Sequence, residues 1–261
     1  MSSEMWMLVT GGGSGIGRAV VQHFSATHRV LTCGRRLAAL EETRAAARRP
    51  EHVLVEAADI AVAADRARLV ARLLEDARLQ LLLQNAAIGD PARLPEVSIA
   101  HLEAALAVNL VAPLALAQAL LPALRRARGR ILHLGTSVAH SPQEGSLTYG
   151  VTKLAFHRLY QQINAEPSLG VPCGSLSPGM VDTEGVRDHV AKARALELPH
   201  VQYFDQAYER GWMTPEPRLM EMMEFLLTVS PETFAAKEWK YSEWAQTPSS
   251  DPNKSFGSSS K

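Results

Sequence analysis

Cysteine is nearly absent from this 261-residue chain: Cys33 and Cys173 are the whole complement and lie 140 positions apart. That excludes a disulfide framework and a clustered thiolate metal site, and it fits a reducing, cytoplasmic setting. Charge of one sign is also lacking, since Lys plus Arg and Asp plus Glu each total 27. Such a balance offers no field to attract nucleic acid or an anionic membrane, so neither partner is expected. Long hydrophobic runs are missing. The most apolar stretch, Leu110 to Leu124, holds Pro113, Gln118 and Pro122 and is shorter than the roughly 18 to 20 residues of a membrane span, so it reads as a buried helix. The chain reaches Gly11 with no basic, signal-like leader, and secretion is not expected. Nine histidines include no HxxxH pair or similar constellation, so no metal is expected. Lysine is scarce too. Only six of the 27 basic residues are lysines, and the first, Lys153, follows sixteen arginines.

What is present is alternation. Apolar, β-branched runs at 5–10, 29–33, 52–56, 79–84, 130–134, 171–176 and 238–241 are separated by stretches of helical period at 16–27, 37–48, 61–77, 99–126, 146–165 and 216–229. This pattern predicts an α/β fold with a doubly wound, seven-stranded parallel sheet and helices on both faces. Residues 1–244 read as one domain. The segment 183–214, rich in His, Tyr and charge, reads as a short helical flap, and the Ser/Pro/Gly/Lys-rich stretch 245–261 as a disordered tail.

Directly after the first strand stands Thr10-Gly11-Gly12-Gly13-Ser14-Gly15-Ile16-Gly17, followed by a helical pattern. Glycines there let the backbone approach a pyrophosphate, and the helix start presents N–H groups to it. At the end of strand two, where NAD binders place a ribose-binding acid, the chain has Gly34, then Arg35 and Arg36. Guanidinium groups at that point suit a 2′-phosphate and favour NADP(H); the competing reading is that both merely begin a solvated helix. Asp59 and Ile60 suit adenine recognition, or equally the cap of the next helix.

Tyr149 and Lys153 are four apart in a predicted helix and project from one face. An ammonium about 4 Å from a phenol, at an effective dielectric near 20, stabilises phenolate by roughly 4 kcal/mol, lowering its pKa by about three before desolvation opposes it. Tyr149 is then a candidate general acid or base. Ser137, twelve residues earlier and just past a strand, lies where open α/β sheets bind ligands, with Thr136 as the alternative hydroxyl. No GxSxG elbow marks a nucleophilic serine. Asn109, in an apolar helix, is expensive to bury unpartnered; it either holds water or backbone near Lys153 or is a satisfied core amide.

Together TGGGSGIG at 10–17, QNAA at 84–87, Asn109, Ser137, YGVTK at 149–153 and SPGMVDT at 177–183 resemble the short-chain dehydrogenase/reductase family over about 240 residues. The resemblance implies a Rossmann sheet in order 3-2-1-4-5-6-7 and a catalytic tetrad of Asn109, Ser137, Tyr149 and Lys153. It implies hydride transfer between a nicotinamide and a carbonyl or alcohol carbon, Ser137 orienting the carbonyl and Tyr149 donating the proton. Lys153 would bind the nicotinamide ribose and lower the Tyr149 pKa, and Asn109 would support a relay water. Cofactor contacts are expected from Gly11, Ser14, Gly15, Ile16, Gly17, Arg35, Arg36, Asp59, Ile60, Asn85, Ala86, Tyr149, Lys153, Pro178, Gly179, Val181 and Thr183. QNAA departs from the family's usual NNAG, Ala87 adding a methyl beside the cofactor path.

The stretches SPGMVDT, YFDQAYERGWMTPE and FAAKEW resemble the sepiapterin reductase and benzil reductase branch, which implies NADPH-dependent reduction of ketones and diketones. A pterin substrate is in doubt, because Tyr241, with Glu243 two residues on, stands where that branch has its pterin-anchoring carboxylate. His140, Gln143, Met180, Tyr203, Phe204, Trp212 and Met213 are candidates for the substrate side, or for packing. The expectation is an NADPH-dependent carbonyl reductase acting on a small carbonyl substrate; the alternative is a catalytically silent NADP(H)-binding regulatory protein. Gly34 and Arg35 disfavour an NAD-linked oxidative dehydrogenase. Relatives pair through the helices carrying Asn109 and Tyr149, which implies a homodimer or homotetramer.

Overall fold

The structure, a computed structural model, describes residues 5–74 and 77–246. Its strands are β1 (Met5–Thr10), β2 (Arg29–Gly34), β3 (Val53–Ala57), β4 (Arg78–Gln84), β5 (Arg130–Leu134), β6 (Cys173–Ser177) and β7 (Glu238–Lys240). Among the described residues they form one parallel sheet in the order β3-β2-β1-β4-β5-β6-β7, the doubly wound arrangement expected. The helices are α1 (Gly15–Phe24), α2 (Leu37–Ala45), α3 (Ala63–Leu74), α4 (Ile99–Leu106), α5 (Ala112–Ala127), α6 (Leu147–Asn164), α7 (Glu184–Ala195), α8 (Val201–Glu209), α9 (Glu216–Thr228), α10 (Pro231–Ala235) and α11 (Tyr241–Trp244).

Parallel strands covered on both faces must be apolar along their length, and β1 shows how this works. Met7 and Val9 face a core shared with Val20, Val21 and Phe24 of α1 and Leu219, Met222 and Leu226 of α9. Leu8 between them faces the opposite core, with Leu69 and Leu73 of α3 and Leu116, Leu120 and Leu124 of α5. The sheet's carboxyl edge is thereby left to loops, where the candidate residues fall.

Differences from the sequence reading have local causes. β6 starts at Cys173 because Pro172 brings no N–H to the ladder. The predicted helix 99–126 is α4 and α5 joined by a π turn over Ala107–Val111, in which Ala112 N–H donates to the Ala107 carbonyl. By length and composition this 29-residue helix could cross a membrane, but Leu116, Leu120, Ala123 and Leu124 are buried against the sheet. The flap is two helices, α7 and α8, with a small core of Ala193, Leu198 and Val201. Beyond Gln246 the expected tail lies outside the described residues.

Candidate active site

Thr10 ends β1, and the turn after it needs a left-handed residue that only glycine adopts readily: Gly11 has φ +75°. Gly11 N–H and Gly12 N–H both donate to the Cys33 carbonyl, at 2.9 and 3.2 Å, which folds the loop against the end of β2. A Cβ on Gly17 would collide with the Gly11 carbonyl oxygen, so glycine there lets α1 start directly under the loop. Thr10, which the sequence reading passed over, knits this corner. Its hydroxyl accepts from Asn85 N–H and Ala86 N–H, both at 3.1 Å, while Asn85 Nδ2 donates to the Thr10 carbonyl at 2.8 Å. A threonine abutting the glycine run was the available signal.

Above the corner lies a cleft of about 370 Å³. It brings together Gly11, Ser14, Gly15, Ile16, Arg35, Arg36, Asp59, Ile60, Asn85, Ala86 and Thr183 of the expected set, together with Gly13, Cys33, Gly34, Ala87, Ile88 and Val108. Arg35 and Arg36 are exposed and pair with no carboxylate among the described residues. Asp59 has both roles considered for it: it lines the cleft, and its Oδ1 accepts from Ala61 N–H at 2.9 Å. Thr183 lies against Gly15, 3.3 Å from where a Cβ would stand there, and its hydroxyl caps α7 by accepting from Val186 N–H. Gly17, Tyr149, Lys153, Pro178, Gly179 and Val181 do not line the cleft. Val181 is buried in the core beside α9, and Gly179 packs against Thr214. Gln84 is buried and donates to the Pro113 carbonyl at 2.8 Å.

Near the Ala87 and Ile88 end of the cleft, Tyr149 and Lys153 share one face of α6. Gly89, two residues beyond the cleft-lining Ala87, packs so closely on Tyr149 that a Cβ there would stand 2.9 Å from the tyrosine Cβ. Lys153 is buried, its Nζ 2.9 Å from the Leu134 carbonyl at the end of β5 and 5.7 Å from the centre of the Tyr149 ring. The electrostatics correct one expectation. Burial pushes the Tyr149 phenol up to about 12 and the Lys153 amine down to about 8; desolvation outweighs the ammonium's pull, which is directed to a carbonyl.

Ser137 opens a 3-10 turn after β5 and is exposed. The Thr136 hydroxyl is engaged in capping that turn, accepting from Val138 N–H, which separates the two hydroxyls considered. Asn109, buried in the π turn, accepts from Ile88 N–H at 2.9 Å and donates to the Ile88 carbonyl at 2.7 Å and to Thr152 Oγ1 at 2.9 Å. It therefore clamps the strand-four loop to α6. Pro113, four residues on, has no N–H to give the Asn109 carbonyl.

The substrate-side candidates scatter. Tyr203 and Trp212 are exposed, Trp212 beneath Arg210, Phe204 packs near the His189 and His200 rings, and Met213 is half-buried. Met180 accepts at its carbonyl from Thr214 N–H. Gln143 lines a separate shallow groove with Arg93 and Leu147. His140 hydrogen-bonds Glu238. Glu243 is exposed near Lys237 and Lys240, and Tyr241 packs on Trp244, so neither offers a pterin a buried carboxylate.

Against known proteins, residues 5–194 match the short chain dehydrogenase family. The 2,3-dihydro-2,3-dihydroxybenzoate dehydrogenase of Escherichia coli (strain K12) is 31% identical over 67% of this chain and 69% of its own. A solved short-chain dehydrogenase from Sphingobium yanoikuyae, in complex with NADPH, is 30% identical over 69% of this chain and 73% of that one, with a TM-score of 0.62. The KRED1-Pglu enzyme shares the fold at TM-score 0.80 and 21% identity, over 90% of this chain and 99% of that one.

Proposed function

From the premise that the chain belongs to the short-chain dehydrogenase family of oxidoreductases, we propose that it is an NADPH-dependent carbonyl reductase. The observation that carries the reading is a pair of features: a cleft lined by the glycine loop and by Arg35 and Arg36, whose guanidinium groups pair with no carboxylate among the described residues, and Tyr149 with Lys153 on one face of α6, Lys153 held at the Leu134 carbonyl where β5 ends. The cradle fits a dinucleotide: Gly11 and Gly15 hold the left-handed backbone, φ +75° and +52°, that folds the loop over the cleft, and α1 begins at the loop.

A bound nicotinamide supplies the hydride. Ser137, its hydroxyl facing solvent at the sheet edge, holds the substrate oxygen by a hydrogen bond and stabilises developing alkoxide. Tyr149, whose raised pKa keeps it protonated at neutral pH, donates the proton. Lys153 binds the ribose hydroxyls and, as charge builds on the phenolate, holds that charge. Asn109 fixes the loop and offers its carbonyl to a relay water. Ketones and diketones are the proposed substrates, as in the sepiapterin and benzil reductase branch.

The protein is proposed to act as a homodimer or homotetramer. Val111 and Leu114, and Leu147, Val151 and Leu154, are exposed on neighbouring helices, Val151 at 53%, a stripe suited to a second copy.

The test follows NADPH consumption across a panel of diketones and aromatic ketones, with wild type beside Tyr149→Phe. Turnover by the wild type, lost in the variant with NADPH binding retained, is expected. NADPH binding without turnover by the wild type would instead identify the silent regulatory alternative.

A further inference from the structure

Outside the cleft, Glu238 stands at the start of the edge strand β7. Its carboxylate is only 8% exposed, and its ion-pair partners among the described residues are two histidines. His140 Nε2, three residues beyond Ser137, lies 2.9 Å from Oε2; His157 Nδ1, from α6, lies 3.5 Å from Oε1. Ser175 Oγ on β6 donates to Oε1 at 3.1 Å. The histidine and carboxylate donor atoms all fall within 4.8 Å of one another.

A buried carboxylate calls for a cation, and among the described residues the ion-pair partners of Glu238 are imidazoles. Two polar atoms at this place are also unmatched: His157 Nδ1 and Gln161 Oε1 are buried with no hydrogen-bond partner. At the far side of the ring, Gln161 Nε2 stands 3.1 Å from His157 Nε2. Turning the Gln161 carboxamide over puts its oxygen against Nε2, where it accepts the Nε2–H. The Nδ1 lone pair is then left pointing at Glu238, the tautomer a metal-ligating imidazole requires.

We propose that His140 Nε2, His157 Nδ1 and Glu238 form a three-ligand site for a divalent ion of the zinc class. Two imidazoles and one carboxylate are a donor set that selects zinc-like ions over magnesium or calcium, with a fourth position for water. Donors about 2.1 Å from a tetrahedral ion are about 3.4 Å from one another, and the carboxylate separations of 2.9 and 3.5 Å bracket that value. His140 is 38% exposed on its side chain, so the ion enters from that side. Ser175 and Gln161 orient ligands from behind. Once bound, the ion ties β7, α6 and the turn carrying Ser137 into one unit. Spacing along the chain gave no such constellation, because the fold alone brings these three residues together.

The experiment titrates untagged, chelator-treated protein with Zn2+ in a calorimeter and with Co2+ in an absorption spectrometer. One ion per chain is expected, with the intense visible bands of four-coordinate Co2+. Affinity should fall at least about 100-fold in His140→Ala, an exposed turn position, and in Glu238→Gln, which keeps the shape and the Ser175 contact. His189→Ala, from the other close histidine pair at 3.2 Å, should bind as the wild type does. Circular dichroism verifies that each variant is folded. Absence of binding by the wild type, binding retained by both His140→Ala and Glu238→Gln, or loss on His189→Ala overturns the site.

Discussion

Replacing Lys153 by methionine should make the protein more stable and inactive. The side chain is 4% exposed, and burial lowers its amine from an ordinary 10.5 to about 8. At neutral pH the folded protein therefore carries a charged group whose burial costs about 3 kcal/mol. Methionine has similar length and no charge. Its cost is the lost bond to the Leu134 carbonyl, about 1 to 3 kcal/mol for an acceptor left unmatched. The balance favours the variant by up to about 2 kcal/mol, which for a chain of this size raises Tm by up to about 8 °C.

The pH dependence isolates the cause. Between about pH 8 and 10 the folded amine of the wild type gives up its proton while the unfolded one keeps it, so the unfolded state binds more protons and stability rises with pH. Tyr149 acts in the other direction only above pH 10, because its folded pKa is raised. Denaturant melts of both proteins at pH 7, 8, 9 and 10 should show their difference shrinking as the wild type gains stability. A Lys153→Met protein less stable than wild type at pH 7, or a difference indifferent to pH, refutes the desolvation argument.

Other outcomes follow from the same contacts. Arg35→Ala should reduce the preference for NADPH over NADH by about 10- to 100-fold, the weight of one charge-assisted phosphate bond, read from the ratio of the two dissociation constants; an unchanged ratio removes Arg35 from the cofactor site. Asn109→Ala strips partners from Ile88 N–H, the Ile88 carbonyl and Thr152, and should cost about 2 to 4 kcal/mol in urea unfolding, with a loss below 1 kcal/mol refuting the clamp. Val151→Glu, which places a charge in the exposed apolar stripe of α6, should shift sedimentation toward the monomer, and an unaltered sedimentation profile refutes pairing through that stripe.

What the sequence made legible was what depends on near neighbours. The apolar run of β1 announces a strand covered on both faces, and a glycine run after it announces a turn that a side chain would block. Such features need only a few consecutive residues. The π turn was hidden because one extra residue in a helical turn barely alters the apolar period, although Pro113 four residues after Asn109 was its trace. The direction of the Tyr149 shift was hidden for another reason. Spacing on α6 places an amine near a phenol, but water exclusion at both groups is set by the packed sheet edge, and there burial wins.

The cluster at Glu238 extends that reasoning. His140, His157 and Glu238 are separated by 17 and 81 positions, so no local spacing rule can find them. What unites them is strand order: β5, β6 and β7 lie side by side, and β7 sets Glu238 opposite Ser175 on β6. On the neighbouring strand, Gly135 just past the end of β5 is a position where even a methyl would press on the Glu238 carboxylate. A sheet that gathers its functional loops at one edge for dinucleotide chemistry necessarily gathers whatever else those loops carry. A second site is therefore most economically sought along that same edge, one turn along α6 from Lys153 on the same helix face.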